Sequence, residues 1–123
     1  MKLTGIYDNR VSQKGLLPGW GFSLLVEGSQ ENILFDTGAD LNTLKNNMEK
    51  LDLDPENLDG VVLSHPHCDH VGGLSPILKR NSGVKVFFTE SFPDPLKGKI
   101  ESYGANPVTI KEPKEIFEGI WTT

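Results

Sequence analysis

The sequence predicts an α/β fold built on a mixed sheet. Three observations carry this. From Asn32 onward, apolar stretches of strand length alternate with stretches of helical period, as strand–helix–strand units do. Before Asn32 the apolar stretches are strand-like only and are joined by turn residues, so the opening contributes antiparallel strands. Val61-Val62-Leu63 is uniformly apolar, the mark of a strand covered on both faces.

Taken in order, Lys2 to Tyr7 reads as the first strand and ends at the turn-prone pair Asp8-Asn9. Gly15, Pro18 and Gly19 make Val11 to Gly19 a loop. Phe22 to Glu27 is a strand, Gly28 to Glu31 a hairpin connection, and Asn32 to Phe35 the returning partner. Asp40 is placed to cap a helix over Leu41 to Leu51, in which Leu41, Leu44, Met48 and Leu51 share one face. Asp54-Pro55-Glu56-Asn57 starts one short helical turn. After the strand Val61 to Leu63, Leu74 to Arg80 reads as a helix and Val84 to Thr89 as a buried strand. Pro93 and Pro95 mark turns before a weaker helix over Leu96 to Tyr103. Val108 to Ile110 is a short strand, Lys111 to Glu115 a solvated turn of alternating charge, and Ile120 begins another strand. Leu24, Val26, Ile33, Leu34, Phe87 and Phe88 are expected in the core, and Trp20, between Gly19 and Gly21, as a packed loop aromatic or else as a side chain lining the mouth of a site.

Composition narrows the function. The 123 residues suit a single domain, 1–123. Acidic residues outnumber basic ones, 17 to 12, for a net charge of -5, the wrong sign for coating phosphates; no nucleic-acid partner is expected. One cysteine cannot form an internal disulfide, which points to a reducing, cytoplasmic setting. No apolar run approaches the roughly 20 residues that span a bilayer, and the start, Met1-Lys2-Leu3-Thr4-Gly5, lacks the apolar stretch of a signal peptide. A small-molecule substrate and no membrane partner are the expectation.

All 3 histidines of the chain fall within His65-Pro66-His67-Cys68-Asp69-His70. Imidazole and carboxylate are the usual ligands of zinc and neighbouring transition metals. The cluster also follows a buried strand directly, where open α/β sheets place their sites. Pro66 disfavours helix at His65, so the stretch is expected to be an extended loop that fans its side chains apart. A solvated polar loop would leave this concentration of histidines without a cause.

The segment Ser64-His65-Pro66-His67-Cys68-Asp69-His70-Val71-Gly72-Gly73-Leu74 resembles the H-x-H-x-D-H loop of the metallo-β-lactamase superfamily of metal-dependent hydrolases. Ile33-Leu34-Phe35-Asp36-Thr37-Gly38 is similar to that family's strand ending in an aspartate turn. The opening, with Asp8-Asn9 and Gly21-Phe22-Ser23-Leu24-Leu25-Val26, looks most like the branch of dihydropterin-synthase-like hydrolases. The resemblance implies the N-terminal half of an αβ/βα sandwich, a mixed sheet with helices on one face. It implies Zn2+ as cofactor, one or two ions, with Fe or Mn able to use the same donors. His65 and His67 would bind the first metal, Asp69 and His70 the second. Asp36 and Ser64 would stand behind the ligands and orient them, and Asp69 would also take part in proton transfer. A metal-activated hydroxide would then attack an ester, phosphoester or amide-type centre.

Two departures stand out. Pro66 and Cys68 occupy positions where the branch more often has a glycine and an aromatic. Cys68 is a possible extra ligand, because thiolate binds zinc well, or else a spacer thiol. The family also completes its site with a further histidine, a bridging aspartate and a final histidine, yet no histidine follows His70, and Asp94 between Pro93 and Pro95 reads as a turn. The expectation is therefore a truncated domain carrying the first part of a metal site. Such a half-domain could pair with a second copy through an exposed sheet edge.

Two other readings compete. The chain could be a non-catalytic metal-binding fragment held by the same histidines. Alternatively, Leu34-Phe35-Asp36-Thr37-Gly38 resembles the active-site turn of retroviral-type aspartic proteases, which dimerise to pair two aspartates. That reading expects an all-β chain and leaves His65 to His70 without a role.

Overall fold

In the computed structural model, which describes residues 1–123, strands β1 (Lys2–Tyr7), β2 (Ser23–Glu27), β3 (Asn32–Phe35), β4 (Gly60–Val62), β5 (Lys85–Thr89) and β6 (Asn106–Ile110) form one sheet in that spatial order. β1, β2 and β3 pair antiparallel, whereas β3, β4, β5 and β6 run parallel. The parallel strands are joined through α1 (Leu41–Lys50), then α2 (Cys68–Val71) with α3 (Leu74–Arg80), then α4 (Pro95–Ser102). A separate hairpin, β7 (Glu115–Phe117) with β8 (Ile120–Trp121), ends the chain. The expected mixed sheet is present, and no helix is long and apolar enough to cross a membrane.

Helix α1 begins where its cap sits: the Asp40 carboxylate accepts the Thr43 backbone N–H at 2.7 Å. The buried stripe of α1 is Leu44, Asn47 and Met48. Leu41, expected on that face, is 43% exposed. The face is turned toward Asn47 because its amide is fully used: it donates to the Ile6 and Leu17 carbonyls, both at 2.8 Å, and accepts the Leu17 N–H at 2.8 Å. A polar residue that bonds three backbone groups belongs inside as firmly as a leucine.

The helices cover one face of the sheet. Leu25, Leu34, Val61 and Val86 lie in register across β2 to β5 and pack with Leu44, Leu78 and Ile100 in one buried cluster. Alternation puts Val26, Phe35 and Val62 on the other face, where they are only half-buried; Ile33 and Phe87 there are buried. The β7–β8 hairpin reaches this second face through Phe117, whose ring stands edge-on 5.6 Å from that of Phe87.

Three expectations need correction. Glu115 opens β7 rather than closing a solvated turn, because the two residues after it, Ile116 and Phe117, are half-buried. β6 starts at Asn106, two residues early, since an edge strand tolerates the missing N–H of Pro107. The histidine loop is not extended throughout: Pro66 keeps His65 out of helix, but Cys68 to Val71 form a helical turn with His67 at its N-cap.

Candidate metal centre

β3 and β4 are parallel neighbours, so their carboxyl ends deliver Asp36 and Ser64 side by side. The Asp36 N–H donates to the Val62 carbonyl at 2.8 Å, and the chain then turns sharply, with Asp36 at φ 56. Asp36 is 1% exposed. Its carboxylate is saturated: Oδ1 accepts the Ser64 N–H at 2.8 Å, and Oδ2 accepts the Ser64 hydroxyl at 2.6 Å and lies 2.7 Å from His70 Nδ1. The next residue clamps the loop from below, as the Thr37 N–H and hydroxyl both donate to the His70 carbonyl, at 2.8 and 2.9 Å.

Counting protons along this network assigns the ring nitrogens. A carboxylate only accepts, so His70 donates Nδ1–H to Asp36. Ser64 has one hydroxyl proton and gives it to Asp36. It must then accept from His65 Nδ1, 2.8 Å away. In the neutral ring this tautomer places the lone pair of each histidine on Nε2. His70 Nε2 lies 3.4 Å from Asp69 Oδ2. Two ligands each about 2.1 Å from one tetrahedral zinc would stand about 3.4 Å apart.

The donor atoms of His65, Asp69 and His70 all lie within 4.8 Å of one another, and all three residues are half-buried. His67 is outside this group and exposed, with its ring centroid 4.6 Å from that of His65. The Cys68 thiol is exposed. Asp94 lies at the start of α4, in its N-cap position, and is not among these donors. The donor set present, two imidazoles and a carboxylate, fits zinc, iron or manganese without strain on its chemistry.

Sequence reasoning missed Gly21 and Phe22, which press the loop into place. Gly21, at φ 127, packs so closely on the Asp69 carbonyl that any Cβ there would overlap the oxygen. Phe22 donates its N–H to the same oxygen at 3.4 Å. Gly72 donates to the Gly38 carbonyl at 2.9 Å and has the Ala39 carbonyl where a side chain would sit. The glycines themselves were the available signal, since close backbone approach demands them. Trp20 is not packed: it is 72% exposed, between two glycines held by close contacts.

The aspartic-protease reading fails on the same geometry. Four helices make the chain α/β rather than all-β, and Asp36 is buried beneath His70 instead of facing a substrate.

The sequence model of the metallo-beta-lactamase superfamily matches residues 18–121. Among curated relatives, a 7,8-dihydropterin-6-methyl-4-(beta-D-ribofuranosyl)-aminobenzene-5'-phosphate synthase from Methanocaldococcus jannaschii is 34% identical over 85% of this chain and 44% of its own length. Among solved structures, the short form of human tRNase Z superposes at TM-score 0.63 with 17% identity, covering 89% of this chain and 44% of that one. A diphosphatase superposes at TM-score 0.62 with 21% identity, covering 78% and 39%. The chain thus spans less than half the length of these relatives.

Proposed function

The chain belongs to the metallo-beta-lactamase superfamily, and from that premise we propose that it carries the metal site of a hydrolase acting on a small-molecule phosphoester. Ester and amide-type centres suit the same chemistry. The phosphoester is favoured because the Methanocaldococcus relative is named for a phosphate compound and the neighbours include a tRNase and a diphosphatase. A net charge of -5 favours a small molecule over a nucleic acid. The single observation that carries the proposal is the convergence of His65, Asp69 and His70 over a buried, fully bonded Asp36.

In this reading His65, Asp69 and His70 hold a metal, and His67 joins from the exposed side. A bound zinc, iron or manganese ion supplies Lewis acidity and lowers the pKa of water toward neutrality. Asp36 keeps the His70 ring in register and its Nε2 free, and Ser64 relays the same constraint to His65. Asp69 has a second carboxylate oxygen with which to accept a proton during hydrolysis. The exposed Cys68 suits a reducing compartment, in keeping with a cytoplasmic setting.

Metal analysis of the purified chain tests this, with His70→Ala and Asp69→Ala beside it. Stoichiometric zinc, iron or manganese that both substitutions remove is the expected result, together with chelator-sensitive hydrolysis of bis(p-nitrophenyl) phosphate. Metal without turnover would favour the non-catalytic metal-binding fragment. Absence of metal from the unaltered chain sinks both.

A further inference from the structure

The segment between β1 and β2 combines a fixed backbone with uncovered apolar side chains. Its backbone is tied at four places. Leu17 is bonded through both N–H and C=O to Asn47, and the Gly19 N–H donates to the Asp8 carbonyl at 3.0 Å. The Gly21 N–H donates to Asn9 Oδ1 at 3.3 Å, and Phe22 is bonded to Asp69. Gly19 packs against the Tyr7 ring and Gly21 against the Asp69 carbonyl, so both glycines are locked by contact. Between them stands Trp20, 72% exposed. Leu17, three residues before it, is also exposed.

On a tied backbone, a large aromatic held out to water offers contact area at little further cost in ordering the loop. It lies one residue from the backbone contact with Asp69, a member of the metal cluster. We propose that Trp20 is a stacking platform for a planar aromatic or heteroaromatic group of the substrate, whose phosphoester then reaches His65, Asp69 and His70. This deepens the functional reading above and rests on it for the place of the reacting group, though not for the stacking itself. The substrate class becomes a phosphoester joined to a ring, such as a nucleotide-like compound, rather than an aliphatic ester.

The test uses the full chain carrying Trp121→Phe, so that Trp20 is its only tryptophan. Its emission is titrated with adenosine 5'-phosphate and with ribose 5-phosphate, in the presence and absence of Mn2+ or Zn2+. Saturable quenching by adenosine 5'-phosphate and none by ribose 5-phosphate is expected. By calorimetry, Trp20→Ala should weaken adenosine 5'-phosphate binding at least about fivefold, leave ribose 5-phosphate unchanged and leave metal content unchanged, while Trp20→Phe keeps most of the affinity. The platform is overturned if the nucleotide leaves Trp20 emission unaltered, or if Trp20→Ala binds it as the parent does. A chain that binds no metal but still shows the quenching would defeat the hydrolase reading and leave the platform standing.

Discussion

Asp36 Oδ2 stands 2.7 Å from His70 Nδ1, and this contact ties the turn after β3 to the histidine loop. The carboxylate is the acceptor for three donors at once, at 1% exposure. Asp36→Asn keeps the shape and tolerates the positive φ, but one oxygen becomes an amide that donates. Either His70 or Ser64 then faces a donor. Metal affinity should fall roughly 10- to 100-fold while the fold persists, measured by competition against a chelator of known affinity. Unchanged affinity would mean that Asp36 does not orient His70.

Gly21 tests how the site depends on backbone contact rather than on ligands. Gly21→Ala puts a methyl group onto the Asp69 carbonyl and demands φ 127 of a residue with a Cβ. The variant should lose about 1–3 kcal/mol of stability in urea unfolding. It should also lose metal affinity, because the chain at Asp69 must move aside. Gly83→Ala is the matched control, since its nearest foreign atom would lie 3.9 Å away and its φ is ordinary.

Asn47 links helix α1 to both β1 and the loop that carries Trp20. Replacing it with leucine fills similar volume but leaves the Ile6 carbonyl and both Leu17 backbone groups without their partner. The cost should be on the order of 3 kcal/mol. Proteolysis should then begin within residues 11–19, which limited digestion and mass spectrometry will show. A variant as stable and as resistant as the parent would contradict the role assigned to Asn47.

What the sequence made legible was whatever local patterning controls. The strands β1 and β3 and the helix α3 fall where alternation and period put them, and Asp40 caps α1 as its residue type suggests. His65, Asp69 and His70 were legible as a group because they are neighbours in the chain. Asn47 was not, because a polar residue becomes buried only when three long-range backbone partners meet it. The hairpin β7–β8 was hidden by its charges, since Lys111 to Glu115 look solvated until Phe117 is seen against Phe87 and Gly60. The helical turn at Cys68 was obscured by Pro66, whose effect reaches only the residue before it.

Asp40 should give α1 a pH dependence on the acid side. Hydrogen bonds from the Thr43 backbone N–H and then its hydroxyl hold the Asp40 carboxyl below its ordinary value of 3.8, more strongly than desolvation raises it. A carboxyl whose folded pKa is lowered contributes stability that is fully present above its unfolded value and is lost as pH falls through the lowered folded one. Urea-unfolding stability should therefore decline from Asp40 protonation only below about pH 4. The decline should be small and should shrink further with added salt, because the carboxyl is solvent-exposed. Asp40→Asn is informative because asparagine caps as well as aspartate but does not titrate. The variant should match the parent near neutral pH to within a small loss of the charge–helix interaction, and should show a flatter profile on acidification. If parent and variant decline in parallel, protonation of Asp40 is not what loosens α1, and the acid sensitivity belongs to other carboxylates.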